Sequence, residues 1–346
     1  MFTSEYNILF AFLTSLIITY VVIPKVIFFA DKFRLTDVPG ERSSHKRSVP
    51  IFGGIAIFSG IIFSLLFWGK LDSIQFILVS LVIVFFVGVI DDLLGLSPYK
   101  KIIGQLIAIL IAIYLGKIQI NSMHGVLGVY ELPDIIATLF TVFVVIVITN
   151  GFNLIDGVDG LASGIGVIAS LGFGVMAYLM NQTDMAIIAF SLLGALLAFL
   201  KYNFHPARLF MGDTGSLLVG MILSVLAINL IHSGVVTETI HFPNKGPLIA
   251  IIFLATPLFD SLRVFVVRII YGKNPLYAGR EHIHHALLDL GFGHKKTALA
   301  LYLMSILLIA GSYFLLELNI NTSIAILALA SFIILMIPFY ILRKRK

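Results

Sequence analysis

The chain has 346 residues, 59% of them hydrophobic and only 12% charged, with a mean hydropathy of +1.06. Soluble globular chains carry about twice that charged share, so the composition excludes a soluble enzyme and defines a polytopic membrane protein. Cysteine is absent, which removes disulfides, thiolate zinc sites and thiol nucleophiles; the net charge of +5 is read from its distribution over loops, not as a nucleic-acid signal.

In chain order, apolar runs of roughly 17–25 residues are the spanning unit. Eleven occur, at about 7–30, 51–68, 74–90, 102–117, 135–151, 161–180, 185–200, 214–232, 247–270, 297–316 and 323–342. Residues 1–7 lack a basic leader and the first run is long enough to span, so no cleavable signal is expected. In 118–134, Gly125 and Gly128 flank Val126 and Leu127 and point to a small hairpin. There is no internal repeat and no inverted pair of Gly/Pro-broken helices of the kind many transporters carry. The expected fold is an all-α polytopic membrane protein of about 11 transmembrane helices, forming one catalytic domain over 1–346.

Basic residues set the expected orientation. With the N-terminus outside, the inner loops are 31–50, 91–101, 152–160, 201–213 and 271–296, and the Arg-Lys-Arg-Lys tail at 343–346 is also inside. These regions and the helix ends feeding them hold nearly all Lys and Arg, leaving Lys70, Lys117 and Lys245 outside. A cytoplasmic C-terminus with an outer N-terminus requires an odd number of spans.

The polar motifs then fall on the inner side. Asp91-Asp92 closes the third run, where a helix C-terminus disfavours carboxylates; either the pair starts a solvated loop beside Lys100 and Lys101, or a cation or shared proton relieves it. The segment Asn150-Gly-Phe-Asn-Leu-Ile-Asp-Gly-Val-Asp-Gly-Leu161 places Asn153, Asp156 and Asp159 among glycines that admit a bulky ligand. Asp156 and Asp159 are three apart, neighbours on one face in helical geometry. Asn203-Phe-His-Pro-Ala-Arg208 precedes Phe210-Met-Gly-Asp-Thr-Gly-Ser216. There Asp213 is either the N-cap of the eighth helix or part of a phosphate site with the forked donor Arg208. Arg280-Glu-His-Ile-His-His285, with Lys273, suits phosphate contact or proton transfer more than zinc, because no His/Glu helix motif or second His group accompanies it. Asp260 and Arg263 are spaced to pair, and Arg268 is expected to be an interfacial anchor. The aspartates are hard oxygen donors that suit Mg²⁺, with Mn²⁺ as alternative. With no Walker A loop and no dinucleotide fingerprint, a Mg²⁺-bound phosphorylated substrate, a nucleotide above all, fits better than ATP hydrolysis or hydride transfer.

As an ordered set, these motifs resemble the polyprenyl-phosphate N-acetylhexosamine-1-phosphate transferases over about residues 31–290. The resemblance implies transfer of a sugar-1-phosphate from a UDP-sugar to undecaprenyl phosphate at the inner membrane face, with Mg²⁺ and release of UMP. It implies Asp213 as principal metal ligand, Asp91 as the base that deprotonates the lipid phosphate and Asp92 as its support. Asn153 and the catalytic Asp156 would surround the diphosphate and metal. Asp159 and Lys46 would belong to the uridine pocket, Phe210 would stack on uracil, and Asn203 would contact the nucleotide. His282, His284 and His285 would contact the pyrophosphate. The stretches Ser48-Val-Pro-Ile-Phe-Gly-Gly54 and His282-Ile-His-His285, with the eleventh run and basic tail, resemble the WecA/TagO branch more than the MraY branch. UDP-GlcNAc is therefore the expected donor, with loop 271–296 discriminating the sugar. The location is the cytoplasmic membrane of a bacterial-type cell, and the assembly is open between monomer and homodimer. The competing readings are the phospho-MurNAc-pentapeptide transfer, an ion-coupled transporter with Asp156 and Asp159 as relay, and a silent scaffold. A relay belongs at mid-membrane, whereas these carboxylates fall at one interface.

Overall fold

The computed structural model describes residues 4–33, 35–37, 49–236, 241–272, 279 and 281–345. Lys46, Lys273 and Arg280 lie outside the described residues. The first half of the helices comprises α1 (Ser4–Lys32), α2 (Gly53–Trp68), α3 (Leu71–Leu94), α4 (Pro98–Tyr114), α5 (Asp134–Ile155) and α6 (Leu161–Leu179). Then follow α7 (Thr183–Asn203), α8 (Gly212–Ser233), α9 (Gly246–Phe253), α10 (Ala255–Ile270), α11 (Ile283–Asp289), α12 (His294–Gly311) and α13 (Ile320–Arg345). Three two-stranded antiparallel ribbons join them: β1 (Thr36–Asp37) with β2 (Val49–Pro50), β3 (Ser122–Val126) with β4 (Val129–Glu131), and β5 (Val235–Val236) with β6 (His241–Phe242).

Every expected apolar run falls on a helix. Among the described residues, eight helices are long and apolar enough to cross a bilayer, and α9 with α10 makes a ninth if the bent pair is one span. At 16 residues, α2 is only about 24 Å long, short of a hydrocarbon core of roughly 30 Å. The run expected over 247–270 is broken into two helices: the axis turns by 83° between Phe253 and Ala255. Pro257 explains the break, since it lacks an N–H and its ring would clash with the carbonyl four residues earlier, at Phe253; it is tolerated here in the first turn of α10. The hairpin expected in 118–134 is β3–β4. Its tip, Leu127-Gly128, has φ of 53° and 78°, the two positive values of a type I′ turn.

The bundle is organised around α8, whose side chains from Thr214 to Ile228 are all buried. It packs against α2, α3, α5, α6, α7 and α9, so it has apolar neighbours on every face and no amphipathic stripe. Two glycines let neighbours reach its first turn. A Cβ on Gly54 of α2 would stand 2.3 Å from the Gly215 amide nitrogen, and one on Gly88 of α3 would stand 2.4 Å from Thr214 Cα. Small residues at helix contacts replace hydrophobic drive with close packing, the usual solution in lipid. At the opposite end of α8, buried Lys245 donates to the Leu315 and Leu318 carbonyls and lies 3.3 Å from Ser323 Oγ. There Asn321 of α13 accepts from the Leu127 amide at 2.7 Å and donates to the Gly125 carbonyl at 3.0 Å, docking the hairpin tip.

Candidate active site

The polar motifs meet where α3, α5 and α7 end and α4, α6 and α8 begin. The first node is the N-terminus of α8. Helix N-termini leave amides without intrahelical partners, and α8 has no side-chain cap of its own. Asp92, at the end of α3, fills that role from another helix: its carboxylate accepts from Asp213 N at 2.7 Å, Thr214 N at 3.0 Å and Thr214 Oγ1 at 2.5 Å. The N-cap reading of Asp213 is thereby corrected. Its carboxylate instead meets Lys101 Nζ at 2.7 Å and accepts from Asn153 Nδ2, which also reaches Ser216 Oγ at 2.9 Å. Gly212, at φ 71°, makes this junction: a Cβ there would fall 2.2 Å from the Ile51 carbonyl oxygen and 2.6 Å from Asp92 Oδ2. Asp91 is tied down by the Leu96 amide at 2.7 Å and by Lys101 Nζ at 2.9 Å. Lys101 therefore bridges Asp91 and Asp213, a stronger role than the neutralising neighbour the sequence suggested.

The second node is the loop 156–160. Asp159 is buried, and its carboxylate receives His205 Nδ1 at 2.7 Å and the Ala207 amide at 3.1 Å on one oxygen, with His294 Nδ1 3.2 Å from the other. Burial alone would raise its pKa; the two histidines and the amide outweigh that and bring it down to about 2. Asn203 is buried and engaged at both ends: its oxygen accepts from Gly160 N and Ser163 Oγ, and its amide donates to the Leu209 carbonyl. The expected nucleotide contact by Asn203 is replaced by a positioning role, because these bonds fasten loop 160–163 to the segment leading into α8.

The third node is the His cluster. Asp260 of α10 pairs with Arg263 at 2.9 Å, as its spacing predicts. The same carboxylate also receives His282 Nδ1 at 2.9 Å and the Ile283 amide at 3.0 Å, which fixes the start of α11. His282 is buried, and its free ring face is stacked on His284 with centroids 5.7 Å apart. His284 reaches the second node, since a Cβ on Gly157 would stand 3.0 Å from its Nε2. His284 is 1% exposed, and burial, then the His285 charge, push its pKa down to about 3. It is therefore a neutral imidazole, and any phosphate contact it makes adds no positive charge. His285 is half-buried with its ring 4.3 Å from that of His284. Arg268 is not an interfacial anchor: it is buried and pairs with Glu281 at 2.9 Å.

Asp156 lies between the nodes, half-buried; its amide donates to the Asn153 carbonyl, and its carboxylate has no hydrogen-bond donor among the described residues. Burial, and then the charges of Asp213, Asp92 and Asp159, raise its pKa well above the ordinary carboxylate range. An unpartnered carboxylate facing three others is a donor set of hard oxygens that a divalent cation would relieve, so Asp156 and Asp213 fit Mg²⁺ or Mn²⁺. Arg208 is exposed, with its guanidinium 5.7 Å from the Tyr202 ring, and Phe210 is described by its backbone bonds to Pro50 and Gly53. Sequence reasoning missed His205, His294 and Asp260 as site partners. His205 lay inside a segment already singled out, whereas His294 carried no local signal.

A membrane bundle that gathers carboxylates and amides at the N-terminus of one buried helix, with imidazoles on the adjoining loops, offers a setting suited to phosphate groups and a divalent cation. Residues 74–231 match glycosyl transferase family 4. The chain is 35% identical over 302 residues to a probable undecaprenyl-phosphate N-acetylglucosaminyl 1-phosphate transferase of Bacillus subtilis, covering 86% of this chain and 82% of the relative. It is 28% identical over 311 residues to the undecaprenyl-phosphate alpha-N-acetylglucosaminyl 1-phosphate transferase of Escherichia coli K12, covering 85% and 81%. It is also 28% identical over 345 residues to a phospho-N-acetylmuramoyl-pentapeptide-transferase of Borreliella afzelii, covering 88% and 93%. The chain belongs to glycosyl transferase family 4, within the superfamily its motifs resemble.

Proposed function

We propose that the protein transfers N-acetylglucosamine-1-phosphate from UDP-GlcNAc to undecaprenyl phosphate at the cytoplasmic face of a bacterial membrane, giving undecaprenyl-diphospho-GlcNAc and UMP. The observation that carries this reading is the meeting of Asp91, Asp92, Asn153, Asp156 and Asp213 at the N-terminus of α8, at one end of the bundle. A proton relay would string such groups along the membrane normal instead.

In the proposed reaction an oxygen of the lipid phosphate attacks the phosphorus that carries the sugar, and the bridging P–O bond to UMP breaks. Such a transfer needs alignment and charge neutralisation more than covalent chemistry from the protein. Asp213 and Asp156 would hold Mg²⁺, which when bound supplies charge neutralisation on the diphosphate. Asp91 takes the proton of the lipid phosphate, with Lys101 holding it against Asp213. Asp92 keeps the α8 amides in place. Neutral His284, beside Gly157, serves the diphosphate as a hydrogen-bonding group without adding charge, and His285 completes that side. Lys46, Phe210 and Arg208 serve the nucleotide, and Lys273 and Arg280 in loop 271–296 serve the sugar end.

The test is purified protein with undecaprenyl phosphate, Mg²⁺ and either UDP-GlcNAc or UDP-MurNAc-pentapeptide, with UMP release as readout. Release with UDP-GlcNAc is expected. No release with either donor defeats the enzyme reading, and release with the pentapeptide donor alone moves the chain to the muramoyl branch, the second reading that the Borreliella relative supports.

A further inference from the structure

We propose that Asp159, His205 and His294 form a second cation site, selective for a borderline transition ion of the Zn²⁺ class and distinct from the all-oxygen Mg²⁺ position. The three side chains come from three segments: the loop after α5, the loop after α7 and the first residue of α12. One ligand atom from each lies within 4.8 Å of the other two. Asp159 oxygens stand 2.7 Å from His205 Nδ1 and 3.2 Å from His294 Nδ1. Tetrahedral ligands held at about 2.0–2.2 Å from one ion are separated by roughly 3.3–3.6 Å, and the three ligand atoms, which lie within 4.8 Å of one another, would have to draw together to that spacing to close on a metal.

The hydrogen-bond pattern gives a second, independent reason. His294 Nδ1 lies 3.3 Å from the Asp159 amide, which donates to it, and 3.2 Å from the Asp159 carboxylate, to which it would have to donate. One ring nitrogen cannot accept and donate at once. If it accepts, its lone pair faces a carboxylate oxygen, an arrangement that a cation shared between them relieves. Two imidazoles and one carboxylate are the donor set of Zn²⁺, Co²⁺, Ni²⁺ or Mn²⁺ rather than of Mg²⁺, which prefers oxygen and retained water. The two rings are stacked, with centroids 5.3 Å apart and planes 24° from parallel. An ion here would staple loop 156–160 to the segment leading into Asp213 and to α12. It would thus fix Asp156 from its far side, whichever sugar donor the chain uses.

The experiment uses the full chain in detergent, carrying no histidine tag, stripped with chelator and returned to millimolar Mg²⁺ so that oxygen sites are filled. Zn²⁺ binding is followed by equilibrium dialysis, and Co²⁺ binding by its visible absorption. A single equivalent of Zn²⁺ bound in the presence of Mg²⁺ is expected, with ligand-field bands for Co²⁺ that report nitrogen coordination. His205→Gln and His294→Gln should each weaken binding by at least about 10-fold, the loss seen even for an outer partner of a metal-bound histidine. His205 is 44% exposed, so its variant keeps the test available should His294→Gln fail to fold. Absence of stoichiometric Zn²⁺, binding untouched by a folded His205→Gln variant, or binding abolished instead by His284→Gln would each overturn the proposal. None of these readouts depends on UMP release, so failure here is separable from failure of the proposed reaction.

Discussion

Asp92 offers the most direct probe of how the bundle holds its chemistry. Replacing it by alanine deprives Asp213 N, Thr214 N and Thr214 Oγ1 of their acceptor at once. Loss of an N-cap costs about 0.5–2 kcal/mol, and loss of a negative charge at a helix N-terminus about 0.3–1 kcal/mol more. Asp92→Ala should therefore lose roughly 1–3 kcal/mol, with the upper half favoured because α8 is buried and water cannot replace the acceptor freely. Asp92→Asn keeps the shape and one acceptor oxygen, and asparagine is a good cap, so most of that loss should be recovered. Thermal unfolding in detergent measures the first effect. If Asp92 works by holding the α8 amides, UMP release should follow the same order: wild type, then asparagine, then alanine. Asparagine as inactive as alanine but fully stable would refute the positioning role and return Asp92 to direct charge chemistry. Alanine with unchanged stability would refute the cap itself.

Three further outcomes are expected. Asp213→Ala should reduce UMP release by more than about 10³-fold, the scale of losing a central charge-stabilising group, without the loss of stability a capping residue would show; intact turnover with a lowered melting temperature would restore the cap reading. His284 has a depressed pKa of about 3 against an ordinary 6.5, so the unfolded chain binds the extra proton between those values and stability falls as pH drops below about 6.5, by up to about 1.4 kcal/mol per pH unit. His284→Gln should flatten that slope in pH-dependent unfolding, and an unchanged slope would show that His284 is not the buried neutral group. Gly54→Ala forces a methyl to 2.3 Å from the Gly215 amide nitrogen, where backbone must move, and should cost about 1–3 kcal/mol and most of the activity; a stable, active variant would show that α2 and α8 can separate at no cost.

The elements and the polar motifs were legible because lipid makes polar residues conspicuous: Asp91-Asp92, Asn153, Asp156, Asp159 and Asp213 interrupt runs that are otherwise apolar. What could not be read was who partners whom across the fold. Hydropathy is continuous through Phe253-Leu254-Ala255, so the 83° bend had only Pro257 to announce it. The capping rule looks three residues ahead, and it assigned Asp213 a role that belongs to Asp92, 121 residues earlier than one of its partners. Arg268 and Glu281 pair across a loop, and His294 meets both the amide and the carboxylate of Asp159, 135 residues away. A bare sequence carries no local mark of either. Burial, too, sets chemistry that residue type leaves open: the sequence suits His284 to phosphate contact or proton transfer, and in the fold burial holds it neutral.

The division of labour among the carboxylates follows from where each one sits. Asp92 is committed to the amides of α8, and Asp159 to two imidazoles and the Ala207 amide. Asp91 and Asp213 share the single ammonium of Lys101, with Asn153 donating to Asp213 as well. Asp156 is left with burial and three like charges and no hydrogen-bond donor among the described residues, which makes it the costliest carboxylate of the group to keep ionised. Both proposed substrates are phosphates, and bringing either one to this end of the bundle adds negative charge to a centre already in excess. Charge balance therefore asks for a cation before it admits a diphosphate, and Asp156 is the group whose ionisation that cation would restore.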